Sequence, residues 1–186
     1  MLSAALEQLE AEVIGMASVT SGSTALAGCI VGSHMWLANL GDCRAVSCEE
    51  GGIVKRLTVD QVCGLDSERA AIEAKGGRVE NGRVNGKIEV SRTLGDRGLK
   101  PPLGCAPEVT KHDCSSMQWA LAASDGLWEV VTDEEAMGVI KDTVKTPDLL
   151  AKRIVMHAID PRGSMDNISC IVFVFGDLCG ACERIF

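Results

Sequence analysis

Three short apolar runs, Thr24 to Val31, Met35 to Leu40 and Arg44 to Ser47, follow one another with only Gly-Ser and Gly-Asp breaks between them. Runs this short suit strands, and the breaks are residues that turn a chain back on itself, so the pattern predicts an antiparallel meander. Trp119 to Ala123 returns to strand, and Ile168 to Phe175 reads as a buried one.

The helices fall elsewhere. Leu2, Leu6, Leu9 and Val13 recur at helical spacing with glutamates between them, which predicts an amphipathic N-terminal helix with one face to bury. Ser67 to Lys75 is a compact helix, with Asp66 or Ser67 as N-cap and Gly76-Gly77 as its stop. Thr132 and Glu135 have capping-box spacing and open a helix to about Lys141, and Thr146-Pro147 opens another to about Ala158. Arg78 to Pro107 is rich in glycine and charge and belongs on the surface near any active centre. Strands first, helices later and no regular βαβ alternation give an α+β fold with largely antiparallel sheet.

At 186 residues with 46% hydrophobic content, the chain fits one soluble domain with a sizeable core. The expected division is a helix and lead-in over 1–20, a domain over 21–175 and a tail over 176–186. A formal charge of -8 argues against a nucleic-acid or anionic-membrane partner, since either needs a concentrated Lys/Arg face. No apolar run approaches the roughly 20 residues of a spanning helix, and the start lacks a signal peptide's pattern. The expected location is the cytosol or nucleus.

Nine cysteines, an odd number with members such as Cys29 and Cys170 inside apolar runs, suit reduced thiols acting as small hydrophobes. Cys179 and Cys182 form a lone Cys-x-x-Cys without the second pair of ligands a structural zinc needs. His34, His112 and His157 have no triad-like or metal-like spacing and read as surface or satisfied core residues. Neither a Gly-x-x-x-x-Gly-Lys phosphate loop nor a Gly-x-Ser-x-Gly elbow occurs.

Asp125, in Ala-Ala-Ser-Asp-Gly-Leu-Trp, and Asp166, in Met-Asp-Asn-Ile-Ser, each lie where an apolar strand meets a loop. A hard cation favours such positions, because the strand fixes the oxygen while the loop leaves the ion reachable. Taken singly, each is also an ordinary turn carboxylate, as are Asp96 in Val-Ser-Arg-Thr-Leu-Gly-Asp and Asp42 in Asn-Leu-Gly-Asp-Cys-Arg-Ala-Val.

Their order is informative. Gly-Ser-Thr-Ala, Asn-Leu-Gly-Asp-Cys-Arg-Ala-Val, Leu-Thr-Val-Asp, Glu-Ala-Lys-Gly-Gly-Arg-Val, Val-Ser-Arg-Thr-Leu-Gly-Asp, Pro-Glu-Val, Ala-Ser-Asp-Gly-Leu-Trp-Glu-Val-Val and Asp-Asn-Ile succeed one another from about Ser21 to Phe175. This series resembles the metal-dependent Ser/Thr protein phosphatases of type 2C. The resemblance implies two antiparallel sheets flanked by helices, a four-layer α-β-β-α sandwich, here incomplete on its N-terminal side. It implies a two-metal Mg²⁺ or Mn²⁺ centre whose bound water attacks the phosphorus of phosphoserine or phosphothreonine, so no side chain serves as nucleophile. By position, Asp125 and Asp166 resemble ligands of one metal and Asp96 the ligand of a weaker third one, while Asp42 and Arg44 look structural. Phosphoproteins or kinases are the partners it suggests.

The chain also departs from the family pattern. An Arg followed by Met-Glu-Asp, and Phe-Asp-Gly-His-Gly-Gly, which supply the phosphate-gripping arginine and the second metal's ligands, do not occur. Where the family usually has Asp-His-Lys-Pro, this chain reads Asp60-Gln61-Val62-Cys63. Two carboxylates hold one ion loosely, so the expectation is weak or no phosphatase activity, or a catalytically inactive binding module. Association through exposed sheet edges is expected as well.

Overall fold

The computed structural model describes residues 1–141 and 146–175; the Cys179 and Cys182 pair and the expected tail lie outside the described residues. In chain order the elements are α1 (Leu2–Gly15), β1 (Gly22–Ser23), β2 (Ala25–Val31), β3 (His34–Leu40), β4 (Arg44–Glu49), β5 (Val54–Arg56), α2 (Asp66–Ala74), β6 (Val79–Glu80), β7 (Arg83–Val84) and β8 (Leu94–Gly95). Then follow β9 (Glu108–Asp113), β10 (Met117–Ala123), α3 (Asp125–Trp128), α4 (Asp133–Lys141), α5 (Pro147–Ile159) and β11 (Cys170–Val174). Backbone contacts divide them into two compact units, one made of residues 1–30, 36–43 and 58–111, the other of 31–35, 44–57 and the chain from 112 onward. No helix is long and apolar enough to cross a membrane among the described residues.

The first unit holds the sheet β2-β3-β9 and the two-stranded ribbons β1-β8 and β6-β7. The expected meander covers β2 and β3 only, because β4 joins a different sheet. The turn that redirects the chain is tight: Gly41 has φ +100°, and a Cβ there would lie 2.3 Å from Thr24 Cγ2. Buried amides hold it. Gly41 N–H donates to Gln61 Oε1 at 2.8 Å, Gln61 Nε2 donates to the Asn39 carbonyl at 3.1 Å, and Asn39 Nδ2 donates to the Gly41 and Val59 carbonyls. Gln61, one of the departures from the family pattern, is thus a core hydrogen-bonding residue.

α1 forms as its periodicity requires, but its buried face is turned. Leu6 and Glu10 are buried and Leu9 is 42% exposed. Leu6 joins Ala38, Leu40 and Leu94 in one apolar cluster. α2 starts one residue earlier than expected, with Leu65 at the N-cap and no side-chain cap, so Asp66 serves as a first-turn carboxylate instead. Its end matches expectation: Gly76 N–H bonds the Glu73 carbonyl, Gly77 N–H bonds that of Ile72, and Gly76 takes φ +82°. That paired pattern is the Schellman stop, which only a residue tolerating positive φ provides cheaply.

α2 is locked by Glu68. Its carboxylate receives Ser91 Oγ at 2.6 Å, Arg92 Nε at 2.9 Å and Arg92 Nη2. The side chain of Glu68 is 8% exposed. Burial would raise the Glu68 pKa, but hydrogen bonds from Arg92 and Ser91 and the guanidinium charge outweigh it and hold the carboxyl below its usual range.

The second unit holds the four-stranded sheet β11-β10-β4-β5, antiparallel throughout, covered by α4 and α5. Trp119, Leu121, Leu127, Trp128, Ile140 and Ile154 belong to its core. β10 is central, and its long buried run fits a strand with neighbours on both sides. β11 differs from the buried strand expected, for Ile171 is 59% exposed and only Val172 is buried. An edge strand with helices on one face has no cover for the other. Thr132 caps α4 through Glu135 N–H at 3.1 Å, while the Glu135 carboxylate accepts from His157 Nε2 at 2.8 Å instead of closing a capping box. The described cysteines are free, and burial pushes the thiols of Cys48, Cys63, Cys114 and Cys170 up, away from reactive thiolate.

The lowered Glu68 pKa has a signed consequence. Its stabilisation is fully present above the unfolded-state value of about 4.3 and is lost as pH falls through the lower folded value. Urea denaturation between pH 6 and pH 3 is expected to show that loss, and Glu68→Gln to remove it while costing about 2 to 3 kcal/mol at neutral pH.

Candidate metal site

Asp125 follows the last residue of β10 and opens the short helix α3. Asp166 lies in the loop that leads to β11, the strand that pairs with β10 from Ala123↔Cys170 to Trp119↔Val174. Antiparallel pairing therefore brings the start of α3 to the same end of the sheet as the 164–169 loop. Four hydrogen bonds stitch the two segments together. Ser124 N–H donates to the Ser169 carbonyl at 3.0 Å, Ser169 N–H to Ser124 Oγ at 3.1 Å, Ser124 Oγ to the Asn167 carbonyl at 3.3 Å and Ser164 Oγ to the Gly126 carbonyl at 2.7 Å.

Gly126 makes the approach possible, since a Cβ there would sit 2.4 Å from Asn167 O and 3.3 Å from Asp166 Cβ. Each aspartate orients itself through the following peptide: Gly126 N–H donates to Asp125 Oδ1 at 3.0 Å and Asn167 N–H to Asp166 Oδ1 at 2.6 Å. Among the described residues, neither Oδ2 receives a hydrogen bond. The segments carrying the two aspartates are thus adjacent, with Asp125 half-buried and Asp166 exposed, and each has one carboxylate oxygen that accepts no hydrogen bond among the described residues.

Asp96 belongs to the first unit, just past β8. Its φ is 49°, its N–H bonds the Ser21 carbonyl at 3.1 Å, and its carboxylate lies against Gly22, where a Cβ would be 2.0 Å from Oδ2. The sequence did not reveal what holds this loop. Buried Glu10 accepts Gly95 N–H at 2.7 Å and pairs with Lys100, whose Nζ also bonds the Thr93 carbonyl at 2.8 Å. The one available signal was position: Glu10 stands four residues after Leu6 and three before Val13, on the face that α1 buries.

Arg44 is structural, as expected. Its guanidinium lies 5.1 Å from the Trp128 ring centroid and bonds Asp133 Oδ1 at 2.8 Å, while Arg56 bonds Asp133 Oδ2 at 2.8 Å. Arg162 donates to the Val130 carbonyl at 2.7 Å and lies 3.4 Å from Glu135. These three arginines line one cavity of about 310 Å³, and each bonds protein oxygens. His112 Nε2 meets the Leu57 carbonyl and His157 meets Glu135, in keeping with satisfied residues. Among the described residues no cluster of three or more His, Cys, Asp or Glu side chains able to hold a metal ion is present. A pair of carboxylates can serve one hard cation with water completing its shell.

The fold is that of solved serine/threonine phosphatases of the 2C type. A serine-threonine phosphatase 2C from Toxoplasma gondii superposes with TM-score 0.81 at 21% identity, covering 94% of this chain and 66% of that one. A C. elegans sex determining protein superposes with TM-score 0.83 at 27% identity, covering 92% of this chain and 45% of that one. The model of the family described as "Protein phosphatase 2C" matches residues 3–168, and the chain belongs to that family. Among curated relatives, "Probable protein phosphatase 2C 44" of Oryza sativa subsp. japonica is 43% identical over 161 residues, 83% of this chain and 49% of the relative. "Probable protein phosphatase 2C 59" of Arabidopsis thaliana is 42% identical over 159 residues, 83% of this chain and 50% of that one. The chain spans about half the length of these two relatives.

Gly126→Ala drives a methyl into the Asn167 carbonyl. The expected cost in chemical denaturation is about 1 to 3 kcal/mol, with the 164–169 amides losing hydrogen-exchange protection before the core of the same unit does.

Proposed function

We propose that this chain carries the acidic part of a type 2C serine/threonine phosphatase centre, in which Asp125 and Asp166 would hold one Mg²⁺ or Mn²⁺ and Asp96 would contribute to a weaker, separate site. The observation that carries it is the stitched pair of loops, which brings together the segments that hold Asp125 and Asp166, each with one carboxylate oxygen without a hydrogen-bond partner among the described residues. Membership of the family supplies the reaction class.

The residues have distinct tasks in this reading. Ser124 and Ser164 hold the loops in register, Gly126 sets their spacing, and the two aspartates present negative charge to a cation. Bound Mg²⁺ or Mn²⁺ would supply charge neutralisation for the phosphoryl oxygens of phosphoserine or phosphothreonine. Hydrolysis by these 186 residues alone is weak or absent, because a single electrostatic group at such a centre is worth about 3 to 4 kcal/mol of barrier and more than one is lacking here. A second reading, a phosphatase-like binding module without catalysis, draws on the commitment of Arg44, Arg56 and Arg162 to Asp133, Glu135 and backbone carbonyls.

Isothermal titration of the chain with Mn²⁺ is expected to show a weak binding event that Asp125→Asn and Asp166→Asn each abolish and that Asp96→Asn leaves in place. Titration without heat in the wild type sinks the metal assignment. In a phosphopeptide assay with millimolar Mn²⁺, turnover is expected to be near the uncatalysed level. Metal-dependent turnover that vanishes in Asp125→Ala means that the chain is a competent phosphatase and overturns the impairment.

A further inference from the structure

An asparagine followed by glycine is chemically labile, because no side chain on the glycine shields its N–H from the neighbouring carboxamide. Asn39 precedes Leu40 and Asn167 precedes Ile168, whereas Asn81 and Asn85 each precede a glycine. Both Asn-Gly steps are exposed, and both form tight turns. Asn81 and Gly82 take φ 50° and 76° between β6 and β7, which pair Val79↔Val84 and Glu80↔Arg83. Asn85 and Gly86 take φ 49° and 70°, and Lys87 N–H closes their turn on the Val84 carbonyl at 3.0 Å. Positive φ at both central residues is the hairpin turn that Asn-Gly favours. With chemistry, exposure and turn shared, the two steps differ in how firmly each is held.

Asn85 is fastened. Its N–H donates to the Arg78 carbonyl at 2.8 Å, its Oδ1 accepts Arg78 N–H at 3.0 Å, and Gly86 N–H donates to the Arg83 carbonyl at 3.3 Å. A Cβ on Gly86 would stand 3.5 Å from Glu80 Oε2, so a carboxylate opposes negative charge at that peptide. Asn81 lacks such restraints: among the described residues neither its carboxamide nor the Gly82 N–H has a hydrogen-bond partner. Nothing lies within 4 Å of where a Gly82 Cβ would be. β6 and β7 have two residues each, a ladder too short to keep the turn shut by itself.

We propose that Asn81 is a site of spontaneous covalent modification, at which the Gly82 backbone nitrogen closes an imide ring on the Asn81 side chain and water then opens it. Hydroxide removes the Gly82 amide proton and the nitrogen bonds Asn81 Cγ. The Cγ–Nδ2 bond breaks as ammonia leaves, taking a proton from water. Water next adds to one of the two ring carbonyls and the C–N bond there breaks; nothing is oxidised or reduced. Opening at Cγ leaves aspartate on the original backbone, and opening at the main-chain carbonyl leaves isoaspartate, whose backbone runs through Cβ and Cγ. Either product exchanges one amide for one carboxylate, so the formal charge of -8 becomes -9. Isoaspartate also lengthens the main chain inside a two-residue turn, which breaks the Glu80↔Arg83 pairing. Ring closure requires Asn81 to leave its left-handed conformation, so the ease of opening the turn sets the rate. The restraints involved all lie within residues 78–88, and the inference stands or falls apart from the phosphatase reading.

The 186-residue chain, held for days in mildly alkaline buffer at physiological temperature and then digested, is read by mass spectrometry with fragmentation that separates isoaspartate from aspartate. Conversion is expected to be about tenfold faster at Asn81 than at Asn85, the factor that one net hydrogen bond of restraint supplies. It is expected to quicken as pH rises and to yield a more acidic band on isoelectric focusing. In strong urea both steps are expected to convert at similar rates, which ties the difference to the fold. Asn81→Gly, which tolerates the positive φ, is expected to keep the wild-type circular dichroism and to lose the acidic band. Asn85 converting as fast as Asn81 in the folded chain, or Asn81 remaining intact while urea releases it, overturns the proposal. An acidic band that forms unchanged in Asn81→Gly defeats it as well.

Discussion

The contact of Gly126 with the Asn167 carbonyl is the constraint on which the acidic pair depends. Asp125 and Asp166 are far apart in sequence, and the segments that carry them meet because β10 and β11 pair antiparallel and a residue without a side chain lets the loops close. Ser124 then uses its backbone and its hydroxyl to join both segments. With the loops fixed in this way, each aspartate spends one oxygen on its own following peptide and keeps the other available. Preorganisation of this kind comes from the sheet, and the carboxylates add little to it.

Acidic residues serve a second purpose in this chain. Glu10 and Glu68 are buried, and each clamps a helix to the loop-rich stretch through a cation and a backbone or hydroxyl donor. Arg92 gives Glu68 a bidentate partner, which offsets desolvation well enough that the carboxyl is held charged. Lys100 pairs with Glu10 and, by bonding the Thr93 carbonyl, fixes the strand entry beside Asp96. The stretch from Arg78 to Pro107 has little regular structure of its own, so these clamps are what order it.

Much of the local structure was legible. The Gly76-Gly77 stop, the Thr132 cap and Pro147 at the first turn of α5 are short-range devices whose hydrogen bonds lie within a few residues of one another. The strands at Met35 and Trp119 were legible for the same reason, as apolar runs between turn residues. Legibility failed where the deciding partner is remote. Glu10 looked like one of several solvent glutamates because Gly95 and Lys100 are about ninety residues away. β11 looked buried because its residues are apolar, whereas its position at a sheet edge leaves Ile171 uncovered.

The sequence by itself determined the α+β class, the placing of most helices and strands, and membership of the protein phosphatase 2C family, because periodicity, caps and ordered motifs are written in neighbouring residues. It also named Asp125 and Asp166 one at a time. Only the tertiary structure decided that β4 leaves the meander for another sheet, that Gln61 and Glu10 are interior, and that the segments carrying the two aspartates meet at Gly126. Those outcomes depend on hydrogen bonds and contacts between segments tens of residues apart, for which a linear pattern carries no record.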